Sequence, residues 1–293
     1  MNDTTNILIT GASGLVGSAL SRKLDAGGPA WTALPHRDPG WNPEMGEVVP
    51  SRLEGHDTVV HLAGEPIAEK RWTDEQKRKI RDSRVNGTRA LAETMARTPD
   101  RFRALICASA VGLYGDGGDK ELTEESPAAN DFLARVVQDW EAAADPARKA
   151  GIRVVHLRLG VVLSPDGGAL AKMLPVFKLG LGGPIGTGKA WMSWIHVDDA
   201  AGAFLRAIRD PEMRGAYNLV SPHPVRNAAY TKSLGQALRR PAVLPVPPFA
   251  LGLLLGEMAG ALTQSARVLP ERLRNEDWNP AFPELGSALR DLV

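Results

Sequence analysis

The stretch "NILITGASGLVGSALSRKL", residues 6–24, constrains what this chain can fold into more than any other. An apolar run ends at Thr10 and passes through Gly11, Gly14 and Gly17 into an amphipathic helical pattern. The spacing G-x-x-G-x-x-G at a strand-to-helix turn lets the backbone reverse tightly. It also lets a ligand come close to main-chain N–H groups at the positive end of a helix dipole. A pyrophosphate suits that environment, so the segment reads as a dinucleotide-binding turn. Gly11, Ser13, Gly14, Leu15 and Val16 are the expected contacts. The competing reading is a tight turn that holds no ligand.

The chain repeats the same alternation. "AWTALPHR", "DTVVHLAG", "FRALICASAVGLYG" and "IRVVHLRLGVVL" read as strands, and helical patterns occupy 73–97 and 131–149. Apolar strands separated by amphipathic helices predict an α/β fold, a doubly wound parallel sheet covered on both faces. Glycine and proline become frequent from about residue 163. We therefore expect a dinucleotide-binding domain over 1–162 with a return segment at 193–220. A smaller substrate domain, from 163–192 and 221–293, should close over the carboxyl ends of the strands, where ligands of such sheets bind.

Composition narrows the partners. A net charge of +1 gives no reason to expect nucleic acid. The single cysteine, Cys107, excludes an internal disulfide framework. With an N-terminus running almost directly into a strand, it favours a reducing cytoplasm. The apolar stretch 246–262 is opened by prolines and interrupted by Glu257, so we expect a packed helix and no membrane span. The six histidines lack metal-ligand spacing, and no metal is expected. "GGPIGTGKA" at 182–190 nearly spells a P-loop, but alanine stands where a magnesium-binding Ser or Thr is needed, and a strand pattern follows. A substrate loop or lid is the better reading.

The second strand ends in "PHRDPG". An acidic residue there would hold a ribose 2′-hydroxyl, whereas an arginine suits a 2′-phosphate. His36 and Arg37 favour NADP; Asp38, one residue later, keeps NAD as the competing reading. At the next strand end Leu62, Ala63 and Gly64 can let a cofactor lie against backbone, and Glu65 follows with a carboxylate. Val161, in the strand pattern "IRVVHLRLGVVL", is a further expected cofactor contact.

Together these residues resemble the extended short-chain dehydrogenases/reductases. "SRVNGTRAL" at 83–91 is similar to the N-V-x-G-T helix motif of that group, with Arg84 in place of the usual asparagine. "SWIHVDDAAGAF" at 193–204 resembles its F-I-H-V-D-D segment. "AGEPIAEKRWT", "SAVGLYGD", "LRLGVVLSPDGGALAKMLPVFKLGLGGPIGTG" and "LPERL" resemble an atypical, epimerase-like subfamily of the YfcH and SDR39U kind, with a short C-terminal domain. The resemblance spans essentially the whole chain. It implies dinucleotide binding at the crevice; beside Arg37, Arg84 on the neighbouring helix is expected to help hold the NADP phosphate. It also implies pairing of helices 73–97 and 131–149 with a second copy, giving a homodimer.

The proton relay of that superfamily does not carry over. It needs a serine or threonine and a Tyr-x-x-x-Lys pair on one helix face. Anchored on Glu141, "NDFLARVVQDWEAA" puts Leu133 at the tyrosine position and Val137 at the lysine position. A one-residue slip gives Phe132 and Val136. Ala110 stands at the serine position, with Ser109 just before it. Two readings follow. An NADP-dependent oxidoreductase would act on a small hydroxyl or carbonyl compound with other groups: Ser109 and Tyr114 first, then Glu65, Lys70, Arg71 or His196. Alternatively, a non-catalytic protein would sense NADP(H).

Overall fold

The computed structural model describes residues 5–247, 249, 252–253 and 256–293. Its apolar runs become β1 (Asn6–Thr10), β2 (Ala30–Leu34), β3 (Thr58–His61), β4 (Ala104–Ala110) and β5 (Arg153–Leu159). After β6 (Val161–Leu163) and β7 (Trp194–His196), which pair with each other, comes β8 (Gly215–Leu219). The main sheet has the order β8-β5-β4-β3-β1-β2, and every pair in it is parallel. Ile7, Leu8 and Ile9 are all buried, as an inner strand of a sheet covered on both faces requires.

The covering helices are α1 (Leu15–Asp25), α2 (Asp74–Ala96), α3 (Phe132–Ala142) and α5 (Val197–Arg209); α4 (Gly168–Lys178) precedes the last of these. Leu20 and Leu24 of α1 and Phe204 and Ala207 of α5 bury one set of strand residues, including Ile7, Ile9 and Ile106. Leu91, Ala92 and Met95 of α2 bury the alternate set, including Leu8, Val59, Leu105 and Cys107. Thr73 caps α2 by accepting a bond from the Gln76 N–H at 3.1 Å. The helix expected over 131–149 is broken. Proline cannot donate the bond a continuous helix needs at 146, so α3 ends and a separate turn, Asp145–Lys149, begins.

A second cluster lies beyond the sheet. Leu170, Leu174 and Phe177 of α4 pack with Tyr230 and Leu234 of α6 (Asn227–Leu238) and with Leu285 and Leu289 of α7 (Leu285–Leu292). Not all of 221–293 joins this cluster. Arg267–Val268 pair with Glu121–Leu122, and Leu273 enters the sheet's own core. The segment 182–190 leads into a two-residue strand, Trp191–Met192, rather than a helix, so it is no P-loop. The apolar stretch 246–262 lies partly outside the described residues; within it Met258–Thr263 is helical. No helix among the described residues is long and apolar enough to cross a membrane.

Candidate functional site

The sheet order reverses between β1 and β3, and the expected cofactor residues meet there. Gly11 has φ +72°, and a Cβ on it would lie 2.7 Å from the Ala63 backbone nitrogen. This close approach fits the loop after β1 against the loop after β3. A Cβ on Gly17 would stand 2.2 Å from the Gly11 carbonyl oxygen, so this glycine seats α1 against the turn. Gly14 differs. It is exposed, its nearest obstacle to a Cβ is 3.2 Å away, and no side chain caps α1 there. The first N–H groups of a helix have no intrahelical partner. Those of α1, around the Leu15 and Val16 backbone, therefore open beside the exposed Ser13 and Gly14.

Arg37 and His36 are exposed just past β2. Asp38 is engaged elsewhere: its Oδ1 accepts from the Gly40 N–H at 2.7 Å and pairs with Arg52 Nε at 2.9 Å. The competing ribose-binding carboxylate is thus committed to the turn, while Arg37 faces solvent. On the other wall, Leu62 and Ala63 are half-buried and Gly64 is exposed.

Arg84, the expected second phosphate contact, has one guanidinium nitrogen engaged within the protein. Its Nη1 donates to the Glu65 carbonyl at 2.9 Å and the Ile80 carbonyl at 3.0 Å, and its guanidinium stacks over Trp140. Burial lowers its pKa to about 10, partly offset by Glu65. Its donors hold the loop after β3 in place. Glu65 sits on that loop half-buried, its Oε1 accepting from Gln76 Nε2 at 3.1 Å with Lys70 at 3.7 Å. Val161 is half-buried past β5, with its N–H bonded to the Ser193 carbonyl.

The expected proton donors are also placed differently. Ser109 Oγ donates to Glu141 Oε1 at 2.6 Å. Arg158 grips the same carboxylate with two bonds, Nε at 2.8 Å and Nη2 at 2.9 Å. Its Nη1 donates to the Tyr114 hydroxyl at 2.9 Å, and that hydroxyl donates to Asn218 Oδ1 at 2.7 Å. Ser109 is 2% exposed and Tyr114 4%, so neither hydroxyl is free to meet a substrate. Burial raises the Tyr114 pKa despite the adjacent Arg158. Burial also pushes the Glu141 carboxyl up, but the bonds from Arg158, with His156 and Ser109 assisting, hold it below its ordinary value. This chain is a structural brace linking β4, α3, β5 and β8.

Neither Arg158 nor Asn218 stands out in the sequence. The signal for Arg158 was a lone charge inside an apolar strand, which demands a buried partner. The replaced relay positions are packing residues: Val137 is buried with Leu113, Tyr114 and Val220. Leu133 carries its Cβ 3.5 Å from where one on Gly112 would stand. His196 is buried too. It caps α5, its Nδ1 accepting from the Asp198 N–H at 3.1 Å, and it stacks on Phe282. His61 bonds Thr10 at 2.6 Å; burial, with nearby Arg84, takes its pKa down to about 3.

A doubly wound parallel sheet with a glycine turn at its switch point defines a dinucleotide-binding Rossmann fold. Residues 7–220 match the NAD dependent epimerase/dehydratase family, and residues 246–292 match a domain of unknown function, DUF1731. The chain belongs to the NAD dependent epimerase/dehydratase family. It is 40% identical over 290 residues to the epimerase family protein Mb2239 of Mycobacterium bovis, covering 97% of this chain and 96% of that one. The crystal structure of the human epimerase family protein SDR39U1 (isoform 2) with NADPH matches with a TM-score of 0.88 at 33% identity, covering 98% of this chain and 99% of that one. The Thermus thermophilus UDP-glucose 4-epimerase shares the fold at 19% identity, with a TM-score of 0.79 over 98% of this chain and 97% of that one.

Proposed function

We propose that this protein binds NADPH at the switch point and transfers hydride to or from a small hydroxyl or carbonyl compound, without the family's usual proton relay. The observation that carries the cofactor reading is the pairing of an exposed Arg37 with an Asp38 already committed to Gly40 and Arg52. The human relative crystallised with NADPH supports it. Gly11, Ser13, Gly14 and the Leu15 and Val16 N–H groups would hold the pyrophosphate. Leu62, Ala63 and Gly64 would lie along the adenosine side. Bound NADPH would supply the hydride. A charge-assisted bond is worth about 1.5–3 kcal/mol. NADPH should therefore bind about tenfold to a hundredfold more tightly than NADH, and Arg37→Ala should erase most of that margin. Equal affinities of the wild type in a paired titration would overturn the NADP assignment.

Ser109 and Tyr114 serve in this reading as positioning residues, because their hydroxyls are occupied and buried. Glu65 is the group the crevice edge offers for proton exchange, being half-buried and on the loop that Arg84 fixes. In a substrate panel followed by NADPH absorbance and product isomer analysis, Glu65→Gln should lower turnover by at least about tenfold, within the usual reach of general acid–base catalysis. Tyr114→Phe should act mainly through stability. A Tyr114→Phe enzyme that is fully folded and inactive would return the chemistry to the tyrosine. The sensor reading keeps one observation in its favour, the apolar lining of Ala110, Val111 and Leu133 where a relay would stand. Tight NADPH binding with no turnover across the panel would select it.

A further inference from the structure

Seven of the eleven large apolar side chains left exposed among the described residues fall in two short segments. They are Val176, Leu179 and Leu181 in one, and Val243, Leu244, Phe249 and Leu253 in the other, with Leu179, Val243, Phe249 and Leu253 each 74–80% exposed. The fold brings the segments together. The Leu244 N–H donates to the Gly182 carbonyl at 3.1 Å, the Val246 N–H to the Pro184 carbonyl at 2.8 Å, and Arg240 Nε to the Lys178 carbonyl at 3.0 Å. A concentration of exposed large apolar side chains on a protein surface marks an interaction site.

The charge around it says what it meets. The chain has no Asp or Glu between Asp166 and Asp198, nor between Glu212 and Glu257, in a protein with 34 acidic residues. Lys172, Lys178 and Lys189 fall in the first of these gaps, and Arg214, Arg226, Lys232, Arg239 and Arg240 in the second. Lys178, Arg239 and Arg240 are exposed beside the patch. Glu257 pairs with Lys77, Glu284 with His223, and Asp119 with Arg226. Exposed Leu and Phe side chains rimmed by cations that have no ion-pair partner among the described residues fit an apolar–water boundary of negative charge. A second copy of the same basic patch would meet like charge.

We propose that the face formed by α4 with residues 239–247, Phe249 and Leu253 docks peripherally on an anionic lipid bilayer, with the apolar side chains entering the interface and Lys178, Arg239 and Arg240 against lipid headgroups. This is surface attachment rather than spanning. It stands independently of the cofactor assignment.

The test is co-sedimentation of the full-length protein with phosphatidylcholine vesicles, with and without 30% phosphatidylglycerol, at low and high salt. The protein should pellet with the anionic vesicles at low salt and stay in solution with pure phosphatidylcholine. Each cation near such a surface contributes about a fivefold gain in binding, so Lys178→Gln with Arg239→Gln and Arg240→Gln should weaken it by about a hundredfold. Leu179→Ser with Phe249→Ser and Leu253→Ser should also release it. A Phe249→Trp variant should show a blue-shifted emission on anionic vesicles. Unchanged thermal unfolding of the variants separates loss of docking from loss of fold. The proposal fails if the wild type ignores anionic vesicles or if both triple variants still pellet. It also fails if sedimentation velocity shows a self-associated species that the apolar variant dissolves, which would make the patch an interface between copies.

Discussion

Arg158→Ala should destabilise the protein by about 3–5 kcal/mol, the cost of leaving one partner of a buried ion pair alone. Arg158 is 9% exposed and directs three donors inward, two to Glu141 and one to Tyr114. Without it, Glu141 keeps the desolvation that pushes its pKa up and loses the bonds that pull it down. The carboxyl should then take up a proton, and β4, β5 and α3 lose their shared polar tie. Replacing both partners by apolar residues of similar size, Arg158→Met with Glu141→Leu, should recover most of the loss, since no buried charge is then left unpaired.

The pH dependence has a defined sign. The folded-state pKa of Glu141 is depressed from 4.5, so its contribution is fully present above that value and fades as pH falls through the lower folded-state pKa. The double variant should lack that acid-side loss. Denaturant unfolding of the three proteins across pH 3–7 measures both effects. A single-variant cost below about 1 kcal/mol would mean that the network is solvated and adds little.

The glycine turn carries the second large effect, and its members should separate structure from ligand binding. In Gly17→Ala the new Cβ would stand 2.2 Å from the Gly11 carbonyl oxygen, which is backbone and cannot swing aside. α1 must lift from the turn, so the expected cost is at least about 3 kcal/mol, at the upper end for overpacking, together with loss of NADPH binding. In Gly14→Ala the new methyl group meets only the Gly11 carbonyl oxygen at 3.2 Å, at the exposed N-cap of α1. That variant should fold with nearly unchanged stability yet bind NADPH at least about tenfold more weakly. Thermal unfolding beside a cofactor titration decides it. If Gly14→Ala bound NADPH like the wild type, the pyrophosphate would not lie over this turn.

The sequence by itself determined the architecture and the cofactor end, because those depend on local pattern. Apolar runs flanked by amphipathic helices leave little choice but a covered parallel sheet, and the spacing of Gly11, Gly14 and Gly17 reflects backbone contacts within a few residues. The absent Tyr-x-x-x-Lys pair was equally legible, and packing at Val137 follows from it. What only the tertiary structure decided were the partners of polar side chains distant in sequence. Ser109, Tyr114, Glu141, Arg158 and Asn218 span 110 positions yet form one network. Burial within that network changed Ser109 and Tyr114 from candidate proton donors into braces. Arg84 Nη1 binds the Glu65 and Ile80 carbonyls, a support of the loop after β3 that the sequence does not show. Asp38 dropped out as a ribose ligand because Arg52 and the Gly40 N–H claim its carboxylate. A hydrogen bond forms at about 3 Å, and distances of that order between distant positions are set by the packing of the whole chain.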